Sequence, residues 1–389
     1  MSERRFWSIA VVSLTLLCAV ITWFISNYYM ERRIEAGGSR LALLGDLRRS
    51  ALENYFSTAE AELRFWSSDP VLVDSQALLV KTLHEKREEL GPDNVGKVMQ
   101  QRYITENPFP EQRSRLADPG DGTLYAEWHA RFHPLTRLFV EERGYYDFFM
   151  ISPDGFIVYT VEKESDFGTS LVTGPWRDSA LADVFRRTMA SVAEGGAGVE
   201  VSDIERYTPS NDVPAQFMAH PITGANGENI GVIAVQLPIE GIKDIMQFTS
   251  GMGKTGETYL VGEDLVMRSD SRFTDVPTTL ENTVDTQTVH RALAGETGID
   301  FTPDYRGIEV LSAFTRFDIG GNTWAVMAEK DVGELEQDAA GERRFLSGLM
   351  LFFYGLSLWS VWFIRRGEPG EGSASHVVDD LFDRDMPEG

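Results

Sequence analysis

The sequence predicts an α+β fold: two antiparallel-sheet modules in tandem on a long N-terminal helix, framed by two transmembrane helices. Three observations predict it. Two uncharged apolar runs lie near the ends of a 389-residue chain. Apolar residues recur at helical spacing after the first run, and a strand-rich plan then occurs twice before the second.

The first run, 6–29, carries no charge and matches the length of a bilayer core at 1.5 Å per residue. It is followed by SNYYMERR rather than a small-residue cleavage site, so an uncleaved anchor is expected. The second run, 345–364, is also uncharged, with Trp359 and Trp362 near one end as in interfacial belts. A short cytoplasmic N-terminus, 1–5, and a short acidic tail, 365–389, then share one side of a bacterial inner membrane. The part between the spans is periplasmic or extracellular. Cys18 falls within the first span and reads as a small packing residue.

Charge narrows the function classes. Sixty Asp and Glu against 36 Lys and Arg give a formal net charge of −24, the wrong sign for tracking nucleic acid. Nearly all of it lies between the two runs. With one cysteine there is no intrachain disulfide and no Cys-based metal site.

Leu44, Leu47, Ala51, Tyr55, Ala59, Leu63 and Trp66 extend the first helix into an amphipathic stalk, broken at Asp69-Pro70. A second helix, 75–90, stops at Gly91-Pro92, and 105–122 is a proline-containing surface loop. A helix from Leu124 delivers the chain to the hairpin YYDFFMISPDGFIVYTV, with its Pro153-Asp154-Gly155 turn. A helix at 179–190, strands around VEVSDIERY, PAQFMAHPI and NIGVIAVQLPI, and a helical exit complete the first unit. The second has GETYLVGEDLVMRSD, a helix at 286–294, IEVLSAFTRF, the turn DIGGN, TWAVMAEKD and another helical exit. That order is the one found in PAS-like modules.

Four stretches resemble a known family: GYYDFFMISPDGFIVYTVEKESDFGTSL, GPWRDSALADVF, IGVIAVQLPI and GKTGETYLVGEDLVMRSDSRF. They are similar to extracytoplasmic double-Cache (dCache) sensor domains of bacterial chemoreceptors, sensor kinases and cyclases, over roughly residues 30–344. The resemblance implies a helical stalk at 30–104, a membrane-distal module at 105–250 carrying the ligand pocket, and a membrane-proximal module at 251–344. It also implies a signal-transduction receptor, of the kind used in chemotaxis, that dimerises through the stalk. Sensors of that family continue past the second span into an output segment. The expectation here is a signal passed to a separate partner protein. The tail reads either as a disordered end or as a docking segment built on VVDDLF.

In amino-acid-binding members, the loop before the helix resembles Arg-x-Trp-Tyr and the last strand supplies an Asp. Here Trp176 matches the Trp, Arg177 follows it, Gly174 stands in the Arg place and Gln236 replaces the Asp. The candidate ligand-binding residues are Trp176, Arg177, Asp203, Tyr207 and Gln236. Asp203 and Tyr207 are taken as one face of one strand. Arg177 offers a fork for a carboxylate, which points to an organic acid or similar polar metabolite. Each also has a plain structural reading: Trp176 as core, Arg177 paired with Asp178 or Glu164, and Gln236 satisfying backbone. Tyr259, Arg268 and Asp270 match the family in the second module and read as structural. His129 and His133 stand four apart on a helix without the Glu of a zinc motif. No nucleophile and base pair emerges, so neither catalysis nor a cofactor is expected. The competing class is a non-enzymatic accessory membrane subunit whose exported domain contacts another protein.

Overall fold

The computed structural model describes residues 3–366. They fall into two units, one formed by the described parts of the chain ends, residues 3–37 with 333–366, and a central one, Gly38–Val332. The VVDDLF segment and the rest of the tail after residue 366 lie outside the described residues.

The terminal unit is helical, built from the first part of α1 (Glu3–Ser68) and most of α8 (Val332–Arg366). Among the described residues, α1 over Ser13–Ser68 is the one helix long and apolar enough to cross a membrane, and the apolar stretch in α8 is shorter, Ser347–Trp359. Within this unit the hydroxyls of Thr15 and Tyr354 hydrogen-bond. Thr22 Oγ1 donates to Met350 Sδ at 2.7 Å.

In the central unit α1 buries Leu41, Leu52, Phe56, Ala59, Leu63 and Trp66. The face lies one residue from the expected one in its first half, and Leu47 is 52% exposed. The stripe in fact runs through Gly45 and Arg48, two residues that a count of apolar side chains passes over. A Cβ on Gly45 would meet Ala328, and Arg48 Nη2 donates to the Phe248 carbonyl at 2.6 Å. Asp69 then caps α2 (Pro70–Leu90), its carboxylate accepting the amides of Val71 and Leu72 at 2.9 and 3.1 Å. A short α3 (Pro92–Gln100) runs into a single π turn. Thr123 caps α4 (Leu124–Arg143), which ends at left-handed Gly144.

The first sheet comprises β1 (Asp147–Ile151), β2 (Ile157–Thr160), β3 (Glu200–Val201), β4 (Glu205–Tyr207), β5 (Val213–Thr223) and β6 (Asn229–Leu237). All pairings are antiparallel, in the order β2-β1-β6-β5-β3, with β4 also on β5. Strands β1, β2, β5 and β6 are buried on both faces, which is why they read as largely apolar runs. Phe148, Met150, Ile233 and Val235 join the core with α1 and α4, while Phe149, Ile151, Val232 and Ala234 pack with α5 (Ala180–Ala193). Each such side chain contributes roughly 1.5–3 kcal/mol on burial.

After α6 (Ile239–Met246) the second sheet pairs β7 (Glu257–Gly262), β10 (Asn322–Asp331), β9 (Glu309–Ile319) and β8 (Gly298–Pro303) in that order, with α7 (Gln287–Leu293) on one face. Two details differ from expectation. The stretch after β7 turns at Leu265, φ 64°, and folds back along β7 through an isolated bridge and backbone hydrogen bonds rather than as a regular partner strand. Edge strand β8 exposes Ile299 and Phe301 and so lacks the buried run that marks its neighbours.

Candidate functional site

On the α5-facing side of the first sheet, the ends of β1, β4 and β6 meet the loop that follows β2. Strand alternation puts Asp147 in line with Phe149 and Ile151, and Gln236 in line with Val232 and Ala234. The two are register partners on adjacent strands. Asp147 Oδ1 accepts the amides of Phe148, Val161 and Glu162 at 2.7, 2.8 and 3.1 Å. That carboxylate therefore anchors the loop as it leaves β2, and Lys163, at φ 55°, turns the following residues inward.

Those residues complete a buried polar cluster. Tyr207 donates to Asp166 Oδ2 at 2.5 Å. Glu164 receives the hydroxyls of Ser210 at 2.6 Å and Tyr146 at 2.8 Å. Gln236 Nε2 donates to Ser210 Oγ at 3.4 Å. Asp147 Oδ2 and Asp166 Oδ1 are buried without a hydrogen-bond partner, although both residues have no exposed surface. An orphaned buried polar oxygen costs about 1–3 kcal/mol, so each of the two is left open to a hydrogen-bond partner.

Burial sets the electrostatics. It raises Asp147 well above the usual carboxylate range, with Glu162 and Asp166 adding to the effect. Asp166 is pushed up to about 6 by burial, against the Tyr207 hydrogen bond. Glu164 is raised to about 7 by burial, against the bonds from Ser210 and Tyr146. A carboxyl raised on folding stabilises most when protonated, so its contribution is full below its ordinary value and lost as pH rises through the folded one. Glu164→Gln is accordingly expected to gain stability relative to the parent chain between pH 5 and pH 8, by on the order of 2 kcal/mol. Paired unfolding curves of the full chain at both pH values check this, and parallel shifts would refute it.

The candidate residues from the sequence separate. Tyr207 and Gln236 lie in the cluster. Trp176 is half-buried, its indole donating to the Ser165 carbonyl at 3.3 Å, so it ties down the loop carrying Glu164 and Asp166. Arg177 is exposed and reaches the Gly174 carbonyl and Asp178, at 3.3 and 3.5 Å. Asp203 does not share a strand with Tyr207: it precedes β4, and its carboxylate faces the second module, holding Arg268 and the Trp324 indole. Asp147, Glu164, Asp166, Ser210 and Tyr146 were missed. The available signal was an Asp inside the apolar run YYDFFMI, an expensive residue for a buried strand.

In the second module, Tyr259 donates to Glu329 and Asp270 accepts the amides of Thr278 and Thr279. Glu257 and Glu329 face each other across β7 and β10. Their oxygens take the hydroxyls of Tyr305 and Ser271, and of Ser312 and Tyr259, at 2.7–2.9 Å. His133 bonds the Tyr159 hydroxyl and the Ser114 carbonyl, and His129 the Ala117 carbonyl. Among the described residues no group of three or more His, Cys, Asp or Glu could hold a metal ion.

No family model matches the chain, and no curated protein matches it. Solved structures do. The fold is similar to the sensory domain of the Campylobacter jejuni chemoreceptor Tlp3, at 12% identity and TM-score 0.45 over 80% of this chain and 99% of that one. It is similar to the sensor domain of the V. cholerae histidine kinase DctB, at 12% identity and TM-score 0.42 over 77% and 98%. A third is the ligand-binding domain of the Pseudomonas fluorescens chemoreceptor CtaA in complex with L-alanine, at 12% identity and TM-score 0.40 over 76% and 97%. These three are sensor or ligand-binding domains of two chemoreceptors and of a histidine kinase.

Proposed function

We propose that the protein is a membrane-anchored sensory receptor whose exported double-Cache domain binds a small polar metabolite on the α5-facing side of the first sheet. The observation that carries this reading is the pair of partnerless buried oxygens, Asp147 Oδ2 and Asp166 Oδ1, grouped with Gln236 under a loop fastened by Trp176. What sets these two apart from other unpaired buried oxygens, such as Gln76 Oε1, is that both belong to carboxyl groups gathered in one polar cluster. The organic-acid expectation rested on Arg177. With that guanidinium exposed and Asp147, Glu164 and Asp166 gathered around Tyr207, a ligand that donates hydrogen bonds, an amine or a polyol, suits the site better.

The reading extends to the membrane. Spans at 6–29 and 345–364 hold the domain outside the cytoplasm, and the stalk pairs with that of a second copy. Ligand acts by binding one arrangement of the domain better than another, and the shift passes to a partner protein that produces the output. The test is a binding screen of the full chain in detergent, with separate panels of amines, amino acids, polyols and organic acids. Asp166→Asn and Gln236→Ala are each expected to weaken the ligand found at least tenfold. Retained affinity in both would move the site elsewhere, and silence in every panel would favour an accessory subunit without a sensing role.

A further inference from the structure

The opposite side of the first sheet contains an open space. A cavity of about 610 Å³ lies between α2, α3, the start of α4 and the sheet. Leu83, Val95, Met99, Tyr103, Tyr125 and Val158 form its apolar and aromatic wall. It shares no residue with the Asp147–Gln236 cluster. A cleft of this size falls in the range of small-molecule sites, roughly 300–1,000 Å³. We propose that it is a second ligand site, for an uncharged, largely apolar molecule carrying one hydrogen-bond-accepting oxygen.

Two features define that class. The polar handle is Tyr103: its side chain is 2% exposed, and its hydroxyl is buried with no hydrogen-bond partner. Burial, with Asp121 and Asp118 nearby, keeps that hydroxyl protonated, so it has a proton to donate. The neighbouring Tyr125 hydroxyl is already spent on the Val158 carbonyl at 2.7 Å, leaving one donor in the aromatic wall for a ligand oxygen. The rim supplies the second feature. Lys86 pairs with Glu89 at 2.6 Å and Arg102 with Glu106 at 3.3 Å, while Asp121 Oδ1 takes the amide and hydroxyl of Thr123 at 2.9 and 2.7 Å. Glu85 lies 4.0 Å from Lys81, and both basic groups at the mouth, Lys86 and Arg102, are paired within the protein, so no cation is left there to select an anion. Val158 belongs to β2, whose far end leads into the loop bearing Glu164 and Asp166, so occupancy here bears on the same strand that supports the polar site.

Benzophenone is a suitable probe, being neutral, apolar and equipped with one carbonyl oxygen. On illumination its carbonyl removes a hydrogen atom from a nearby C–H group, and the two carbon radicals join to give a new C–C bond and an alcohol. The full chain in lipid nanodiscs is labelled over a concentration series and mapped by peptide mass spectrometry. Saturable adducts are expected on the peptides holding Leu83 and Met99. Val98 lines the cavity yet is 42% exposed, so Val98→Trp fills the mouth without disturbing the core and should reduce those adducts at least fivefold. Tyr103→Phe should reduce them at least threefold, and unlabelled acetophenone should compete in the parent chain whether or not either variant folds. Labelling that rises without saturation, resists acetophenone, persists in folded Val98→Trp or is confined to the apolar end helices would overturn the proposal. Tyr103→Phe labelled like the parent would overturn the assigned ligand class.

Discussion

Arg268→Ala is expected to lower the stability of the central unit by about 1.5–3 kcal/mol, the loss of a buried guanidinium's charge-assisted hydrogen bonds to carboxylates that keep access to water. Arg268 is 4% exposed and comes from the loop after β7. Its Nε and Nη2 meet the two Asp203 oxygens at 3.0 and 2.8 Å, and Nη1 meets Asp264 at 3.0 Å and the Val266 carbonyl at 2.9 Å. Asp203 also accepts the Trp324 indole at 3.0 Å, and that ring packs against Phe56 of α1 and Phe317 of β9. One carboxylate from the first module is thus the point where the second sheet and the stalk helix are fastened. Arg268→Lys keeps the charge but loses the fork, so it should recover less than half of the deficit. Denaturant unfolding of the three chains decides the matter, and a loss below about 1 kcal/mol for the alanine variant would show that water satisfies Asp203.

Gly231→Ala should cost about 3 kcal/mol or more through a clash between two elements. Gly231 lies in β6 at φ 146°, and a Cβ there would sit 2.1 Å from Gln76 Nε2 and 2.3 Å from the Ile151 carbonyl oxygen. Gln76, on α2, has no exposed surface and uses that nitrogen to bond the carbonyls of Ile151 and Ile230 at 2.9 and 3.1 Å. Its amide occupies a notch in the β1–β6 seam that exists only because residue 231 has no side chain. Alanine would expel it and leave two buried carbonyls short of a donor. Gln76→Ala should therefore mask part of the damage, and a double-mutant cycle read by thermal unfolding would show the two losses to be less than additive. Full additivity would mean that strand strain alone sets the cost.

Much of this architecture is legible before folding, where local rules act. Asp69-Pro70, Thr123 and Pro153-Asp154-Gly155 mark boundaries through their own backbone chemistry, and the apolar runs of β1, β5 and β6 declare a sheet buried on both faces. The polar site is less legible. Asp147 could be noticed as a charge in an apolar strand, but the inward turn of Glu164 and Asp166 depends on that same carboxylate capping the loop. No period applies in such a loop. Arg177 and Asp203 show the converse. Both look like ligand contacts in a pattern of motifs, yet Asp203 is claimed by an Arg 65 positions away in the chain. The stalk face was offset because packing there is set by a glycine and an arginine, which hydropathy ranks as polar surface.

The facing carboxyls of Glu257 and Glu329 in the second sheet have a thermodynamic signature of their own. Each has hydroxyl donors and no cation in contact, and burial pushes Glu329 up to about 7. Near pH 6 the folded chain therefore holds a proton that the unfolded chain does not. Melting this sheet hands that proton to the solution. Heats of unfolding measured in phosphate and in an amine buffer then differ, for each proton released, by the difference between the two ionisation heats, and the part of that difference lost in Glu329→Gln is the proton this sheet stores.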